Sequence, residues 1–502
     1  MMKEKVLNKV KKAWDLSAYS FADMLGGGVG QVISLYYLSF LLYVAGLTPI
    51  MAGIVTGIGK IWDGIIDPFI GVIVDKTNHK IGRSKFWMLI SVIPVFIFYF
   101  MLWYSFGITN INEKFIYYIF AYILWTTAFS LAIIPYESLL PRMVSGYNER
   151  TNYSSVRMIF SGISCVVSTY LYELLIPVTR DNPLSSNFTS NFAILGVVLG
   201  VFFAVPVLIT ALGTKETIND VSDKNISIKY IFSQYKEVFQ SKTYKKYFAL
   251  GLAGTFVGSA ISASMVLFIY LTYGNIQNYF LGFSLVFLIV NIKGAIEIIF
   301  FLPNVYMMKK KNKHRPYLID IPLIIVACII ILFINSNTPI WVLFIAVCFL
   351  GAGVSCLGFV PMTLLPDLSD VDELIHGKRR EGVNAGLTTL GKQVVSGLAI
   401  TLYGFVLEGF GLDTSSASHE AATQSSIWAI KIMYCVIPTI FGLIMILISK
   451  NYPLNKKTHD IIKNLISQKK SGQDILLTVE EKMVCEKLTG LKYEDLWVSK
   501  KS

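Results

Sequence analysis

The sequence is poor in charged residues. Only 15% of its 502 residues are Asp, Glu, Lys or Arg, against about 25% in ordinary soluble proteins, whereas 54% are hydrophobic. A soluble chain of this length would form about three domains and would need more polar residues to cover their surfaces. The composition therefore excludes a disordered chain and favours a membrane protein.

Cysteine and histidine are scarce as well. The six cysteines show no CxxC or other metal-ligand spacing, and five lie in apolar runs, so neither a disulfide framework nor a metal centre of that kind is supported. None of the five histidines lies deep in an apolar run, and the sequence has no HExxH motif or Ser/His/Asp constellation. We therefore predict that the protein is not an enzyme.

Long apolar runs are abundant. A run of about 20 residues crosses the hydrocarbon core of a bilayer as a helix. Twelve such runs, separated by short polar connectors, predict an all-α protein with twelve transmembrane helices at 17–45, 49–75, 86–107, 115–140, 152–178, 192–214, 245–274, 279–308, 316–335, 339–366, 381–410 and 427–450.

The basic residues are distributed unevenly between the two sides of this path. Of the 44 Lys and Arg residues, 37 fall in the two tails and in alternate connectors, whereas the connectors of the other side hold only Lys114 and Arg180. Because cytoplasmic segments of membrane proteins are enriched in Lys and Arg, both termini are predicted to be cytoplasmic, in a protein of the cell membrane. The net charge of +12 then reflects topology, and nucleic acid is not a predicted partner.

The longest internal connector divides the spans into two sets of six. We predict an N-terminal half at 1–214, a cytoplasmic central loop at 215–244, a C-terminal half at 245–450 and a cytoplasmic tail at 451–502. A basic, turn-rich loop follows the second span in each half, and the first of these contains Gly-x-x-x-Asp-Lys followed by Gly-Arg. This organisation resembles the major facilitator superfamily, and transporters built from repeated halves bind their substrates between them.

The second span carries two carboxylates. Asp63 and Asp67 are four residues apart and therefore lie on one helical face, at an insertion cost of about 2.5–3.5 kcal/mol for a charge at mid-bilayer. Two carboxylates this close repel each other unless a cation or a proton lies between them. The pair is thus a candidate site for Na⁺ or H⁺, with a structural pair as the alternative.

Five segments resemble, in the correct order, the glycoside–pentoside–hexuronide:cation symporter family. They are KIWDGIIDPFIG, YILWTTAFSLAIIPYESLLPRM, YSSVRMIF, LPDLSDVDE and EGVNAGLTTLGKQVVSG, on a chain that is similar to the family over about 17–450. The resemblance implies secondary active symport of a small sugar or sugar derivative by alternating access, driven by Na⁺ or H⁺. It implies no cofactor beyond that coupling cation, and we expect a monomer in the lipid bilayer.

The resemblance also implies roles for single residues. Asp63, Asp67 and Ser130 would bind the cation. Arg157 would lie in the sugar pocket, where a guanidinium group hydrogen-bonds vicinal hydroxyls or a uronate carboxylate. Lys392 would link the cation and sugar sites through its charge.

The sequence departs from the melibiose-type members at both positions where they use an aspartate to bind sugar. On the fourth helix that position is Ile133, and a carboxylate appears one turn later as Glu137. On the first helix the position is a glycine, and Asp23 lies about a turn earlier. We predict Glu137 and Asp23 as relocated substrate contacts, with helix-end contacts as the alternative. Trp125 is a further candidate, for stacking on the sugar ring.

Other charged residues have predicted roles outside the two binding sites. Asp75, Lys76 and Arg83, in the loop after the second span, are candidates for gating, with topological anchoring as the alternative. Lys293 and Glu297 are four residues apart and are predicted to form an intrahelical ion pair, with a direct ligand role as the alternative. The tail could form amphipathic helices for the membrane surface or for a partner, or be merely solvated.

Two other functions stay open at this stage. Related transporters with the same aspartate-pair helix carry lysophospholipids with Na⁺. Alternatively, a transporter-derived membrane protein with this tail could sense a sugar without moving it.

Overall fold

The computed structural model describes residues 14–144, 147–179, 181–216, 228–274, 276, 279–280, 282–415, 417, 423–471 and 478–499. Fifteen principal helices occur in these residues, together with short 3₁₀ turns and one β-bridge between Phe280 and Phe283. The helices are α1 Trp14–Tyr43, α2 Pro49–Lys76, α3 Arg83–Trp103, α4 Ile111–Met143, α5 Tyr147–Leu175, α6 Thr189–Gly213, α7 Ile228–Val238, α8 Lys242–Tyr273, α9 Leu285–Lys310, α10 Tyr317–Phe333, α11 Ile340–His376, α12 Glu381–Gly409, α13 Gln424–Lys450, α14 Lys456–Lys470 and α15 Val479–Thr489.

Twelve of these helices coincide with the twelve predicted spans. Ten in the described part of the chain are long and apolar enough to cross a membrane, α10 is a shorter apolar helix, and α2 is the helix with the two carboxylates. The predicted all-α, twelve-helix membrane fold is confirmed.

Several helices extend beyond the apolar runs that predicted them. The run at 339–366 is part of a helix that continues to His376, where Gly377 adopts a left-handed conformation (φ 71°) and donates its N–H to the Glu373 carbonyl. A glycine in this conformation marks the true end of a helix, whereas hydropathy predicts only the apolar segment that lies in the bilayer. Likewise, helix α7 forms within the predicted central loop at 215–244.

The described residues divide into two compact units. The first draws on the ranges Met1–Asn225, Ser262–Leu288 and Gly397–Ile430, and the second on Ile226–Ile261, Ile289–Ser396 and Lys431–Ser502. The first unit thus contains α1–α6 and the ends of α8 and α12, and the second contains α7, α10, α11 and the tail. The predicted boundaries at 214, 244 and 450 stay a prediction.

Aromatic side chains form much of the core of the first unit. Trp103 is fully buried and packs edge-on against Tyr37 of α1, with ring centroids 5.4 Å apart, and stacks on Phe192 of α6 at 5.5 Å. Aromatic pairs of this geometry add to the stabilisation that comes from area burial alone. This cluster holds α1, α3 and α6 in fixed positions relative to one another.

The C-terminal tail packs against α11 within the second unit. Its sequence predicted a membrane-surface helix, a partner-binding helix or a solvated tail, but not this arrangement. Ile462 and Leu465 of α14 and Leu488 of α15 are buried in a core shared with Leu368 and Val371 of α11. The tail is also held by polar contacts, because His459 Nε2 lies 2.8 Å from Asp370 Oδ2 and Lys470 Nζ lies 2.5 Å from Glu373 Oε1. The described part of the tail is therefore a folded appendage and not a solvated chain.

Candidate functional site

The two carboxylates of α2 share a hydroxyl group of α4. Ser130 Oγ donates to Asp67 Oδ1 at 2.6 Å and lies 3.5 Å from Asp63 Oδ1. Asp63 is 7% exposed and Ser130 is 2% exposed, so both lie in the interior of the first unit, whereas Asp67 is half-buried. The structure therefore brings together the three residues predicted to bind the cation.

Neighbouring residues fix α2 against α4 beside these oxygens. Trp62 Nε1 donates to Thr127 Oγ1 at 3.0 Å, and Gly59 lies against the ring of Tyr122 so closely that a side chain would overlap it. Lys60 lies three residues before Asp63 on the same helix and contributes a positive charge near that carboxylate. The sequence analysis assigned no role to Lys60, although a lysine within an apolar helix was itself a signal.

A second polar cluster joins α1, α4 and α5. Arg157 Nε donates to Asp23 Oδ1 at 2.7 Å, and Arg157 Nη2 donates to Glu137 Oε1 at 3.1 Å. The guanidinium carbon lies 4.9 Å from the centroid of the Tyr136 ring. The three charged residues predicted separately as substrate contacts thus form one group, in which the side chain of Glu137 is 58% exposed.

Two other predicted substrate residues lie elsewhere. Trp125 is 2% exposed and packs against the rings of Tyr99 at 5.0 Å and Phe129 at 6.0 Å, which indicates a packing role. Lys392 belongs to the second unit, where its side chain lies beside Gly251 of α8. The roles predicted for both residues stay predictions.

The ion pair predicted on α9 is present. Lys293 Nζ lies 3.2 Å from Glu297 Oε2, with side-chain exposures of 17% and 28%. Two opposite charges one turn apart neutralise each other within an apolar helix. This geometry favours the structural role predicted for the pair.

The predicted gating residues lie at one end of the first unit, within a larger charged network. Arg83 donates to the Asp75 carbonyl at 3.1 Å and lies 3.5 Å from its carboxylate, whereas Lys76 is exposed. The sequence analysis missed the centre of this network, an ion pair of 2.9 Å between Arg142 and Glu216. The two residues of this ion pair are far apart in sequence. The Pro-Arg-Met motif at the end of α4 was the only pattern that drew attention to Arg142.

Glu216 connects the ends of several helices in this network. Its carboxylate accepts the backbone N–H of Ser84 at 3.0 Å and that of Lys85 at 3.3 Å, at the first turn of α3. Its side chain is 2% exposed. A buried carboxylate that receives both an arginine and a helix N-terminus fixes α3, α4 and the end of α6 relative to one another.

A buried glutamate holds the other end of the first unit together. Glu173 of α5 accepts a hydrogen bond from Ser284 Oγ at 2.7 Å and one from the Tyr36 hydroxyl at 3.4 Å. At the same end, Glu408 of α12 accepts the backbone N–H of Ile50 at 2.9 Å. The sequence analysis missed Glu173, although it is the only acidic residue in the predicted span at 152–178.

Glycines allow α2 and α12 to approach closely at this same end. A side chain on Gly53 would lie 3.1 Å from the carbonyl oxygen of Ile400, and one on Gly404 would overlap the carbonyl oxygen of Pro49. Such contacts require glycine because they bring backbone against backbone. The described contacts therefore close the first unit at the end where α2 begins.

Comparisons with known proteins agree on a transporter. The family model described as MFS/sugar transport protein matches residues 18–456. An uncharacterized symporter of Synechocystis sp. is 25% identical, covering 91% of this chain and 97% of its own. The glucuronide carrier protein homolog of Escherichia coli is 22% identical, covering 91% of this chain and 96% of its own.

Two further comparisons concern a lipid symporter and the fold. The sodium-dependent lysophosphatidylcholine symporter 1 of Xenopus tropicalis is 22% identical, covering 85% of each chain. A crystal structure of the nucleoside transporter NupG superimposes with a TM-score of 0.65 at 12% identity, covering 87% of this chain and 99% of that one. At this identity the likeness concerns the fold alone.

Proposed function

Because the chain belongs to the MFS/sugar transport protein family, we propose that this symporter couples a monovalent cation, Na⁺ or H⁺, to the transport of a sugar or sugar derivative. The chain is a multi-pass membrane transporter and not an enzyme. The observation that carries the proposal is the group of oxygens formed by Asp63, Asp67 and Ser130, with Ser130 Oγ within 2.6–3.5 Å of both carboxylates.

These oxygens form the proposed cation site. Carboxylate and hydroxyl oxygens are hard ligands, which suit small cations such as Na⁺. Two carboxylates one turn apart on a buried helix face also repel each other, and a bound cation or proton relieves that repulsion. A single bound positive charge therefore stabilises the site.

The cluster of Arg157, Asp23 and Glu137 forms part of the proposed substrate site. A guanidinium group and two carboxylates supply the donors and acceptors that sugar hydroxyls need, and the planar guanidinium also matches a uronate carboxylate. The name of the glucuronide carrier protein homolog supports a hexuronide among the candidate substrates.

Helix α4 provides a direct physical link between the two sites. Ser130 and Glu137 are seven residues apart on this helix, about 10 Å along its axis and on the same face. A movement of α4 therefore changes both sites together. If the cation and the sugar both stabilise the conformation that can close and reorient, each raises the affinity for the other, and transport is coupled.

Orientation and assembly complete the proposal. The asymmetry of the basic residues supports cytoplasmic termini in the cell membrane. The contacts of Glu173 and Glu408 then lie at the outer end of the first unit, and the network of Glu216 lies at its cytoplasmic end. Asp75, Lys76 and Arg83 are proposed to act in gating from that cytoplasmic end, in a protein that works as a monomer.

The proposal is tested by cation-dependent uptake in proteoliposomes. We expect Asp63→Asn and Asp67→Asn each to abolish accumulation of a sugar against its gradient, because each variant removes one of the two charged ligands of the proposed cation site. Glu113→Gln, which removes an exposed carboxylate at the start of α4, serves as the control. Normal uphill uptake by both aspartate variants would overturn the proposal.

A second candidate function is symport of a lysophospholipid with Na⁺, which the relative named for lysophosphatidylcholine supports. The same vesicles distinguish the two functions when they are supplied with radiolabelled lysophosphatidylcholine or with a panel of glycosides, pentoses and uronates. Na⁺-dependent uptake of the lipid alone would replace the sugar proposal. Uptake of a sugar alone would support it.

A further inference from the structure

One glycine of α1 lies next to unfilled space. Asp23, Gly27 and Gly30 follow one another at intervals of four and three residues and therefore share a face of the helix. On this face Asp23 forms its ion pair with Arg157. Gly30 is exposed, two turns further along the helix.

Packing explains the neighbouring glycines but not Gly30. A side chain on Gly27 would overlap Ser161 of α5, and one on Gly28 would overlap Ser164 of the same helix. A Cβ atom on Gly30 would meet no heavy atom of any described residue within 4 Å. Gly30 also lies within the α-helical segment Asp23–Val32, just before a π-helical turn at Ile33–Tyr37, and glycine is less stable than alanine in such a segment. Neither packing nor backbone conformation therefore requires a glycine here.

The space beside Gly30 does not have the character of a lipid-facing surface. Such a surface is seen on α5, where Ile159, Ile163 and Val166 are 60%, 48% and 46% exposed. The exposed side of α1 instead carries Gln31 and Ser34, which are both partly exposed, besides the glycines. Ser34 Oγ donates to the carbonyl of Gly30 itself at 2.6 Å and so does not fill the space. Polar residues on a membrane helix face the bundle interior or a water-filled cavity, so this face of α1, two turns from the arginine–aspartate pair, favours a cavity.

We propose that Gly30 is a specificity-determining residue, at which the aglycone or second ring of a glycoside lies directly against the backbone of α1. The inference rests on the proposed function, in which Arg157 and Asp23 bind the sugar ring. Gly30 is seven residues beyond Asp23, about 10 Å along the helix, which is further than one sugar ring extends. The substrate is then a glycoside larger than a monosaccharide, and the missing side chain sets the width of the site.

The proposal is tested with paired substrates that differ only in the group beyond the sugar ring. Counterflow in proteoliposomes is measured for methyl and phenyl glycosides of the same sugars and uronates, with wild type, Gly30→Ala, Gly30→Leu and Gly162→Leu. Gly162 is a matched control, because it lies on α5 among the exposed apolar residues described above and a Cβ there would also meet no described atom within 4 Å.

We expect Gly30→Leu to raise KM for phenyl glycosides by about tenfold or more, as steric changes in a substrate pocket do, and to leave KM for methyl glycosides unchanged. Gly162→Leu is expected to alter neither. Gly30→Ala is expected to raise the Tm of the purified protein, because alanine favours the helix, while it raises KM for phenyl glycosides to a smaller extent.

An equal effect of Gly30→Leu on both kinds of glycoside, or no effect on either, would overturn the proposal while leaving the symporter function intact. Wild-type protein that moves no glycoside of either kind would instead overturn the proposed function, and this inference with it. The two failures are therefore distinguishable in one set of measurements.

Discussion

Removal of the Ser130 hydroxyl tests the proposed cation site without changing its charge. Ser130 is 2% exposed, and Ser130→Ala deletes one oxygen that lies 2.6 Å from Asp67 and 3.5 Å from Asp63. The hydrogen bond to Asp67 is available with and without a bound cation, so its loss affects both states. The contact of the oxygen with the cation exists only in the bound state, and we therefore expect weaker cation binding.

The size of the effect follows from the energy of a polar contact to a charged group. Such contacts contribute about 1.5–3 kcal/mol, and each 1.4 kcal/mol is a factor of ten, so cation affinity should fall by about 10- to 100-fold. The assay is the cation concentration that gives half-maximal uptake in proteoliposomes at saturating substrate. Ser130→Thr retains the hydroxyl and should stay close to wild type.

Thr126→Val is the matched control on the same helix. Thr126 is 5% exposed, but its hydroxyl bonds the carbonyls of Tyr122 and Ile123 in its own helix, at 3.1 Å each. This variant should leave the half-maximal cation concentration unchanged. If Ser130→Ala is folded and also leaves that concentration unchanged, Ser130 is not a cation ligand and the reasoning from its geometry is wrong.

Three further predictions concern the ends of the first unit and the tail. Glu216→Gln should destabilise the protein by about 1.5–3 kcal/mol, because Arg142 then loses its ion pair of 2.9 Å and keeps the longer one of 3.5 Å with Asp75. This loss is measured as a lower Tm in detergent. Ser284→Ala removes the 2.7 Å hydrogen bond to Glu173 and should raise the labelling rate of a cysteine introduced at that end, whereas an unchanged rate would contradict a closing role. The hydrogen bond with Asp370 raises the pKa of His459 above its ordinary value of 6.5. The protonated form therefore stabilises docking of the tail below pH 6.5, and this contribution is lost as the pH rises through the raised pKa. The protection of α14 amides against hydrogen exchange, relative to their intrinsic exchange rate, should fall over that range in wild type and not in His459→Gln.

Local patterns in the sequence predicted those features that depend on one helix at a time. The spacing of Asp63 and Asp67 placed both carboxylates on one face, and the same spacing placed Lys293 beside Glu297. Apolar length predicted twelve membrane helices, because a bilayer of fixed thickness requires runs of about 20 residues. It did not predict that α11 continues to His376, since the last turns of this helix pack against the tail and not against lipid.

Contacts between distant segments were beyond the reach of these patterns. Arg157, Asp23 and Glu137 each stood out as a charge in or near an apolar run, but nothing in the sequence indicated that one guanidinium binds both carboxylates. The pairing of Arg142 with Glu216 was missed for the same reason. Amphipathic segments in the tail were visible, yet the surface that they cover is built by α7, α8 and α11.

The sequence by itself determined that this protein lies in a membrane, its family resemblance and which charged residues are candidates for a functional role. Hydropathy, basic-residue asymmetry and helical periodicity are properties of short segments, and the bilayer makes them decisive by penalising every exposed polar group. Only the tertiary structure decided which of those charges neutralise one another, which glycines serve packing and which face open space. Such decisions depend on the approach of helices that are far apart in the chain, 134 positions for Arg157 and Asp23 and 358 for Glu408 and Ile50, and no local pattern encodes these contacts.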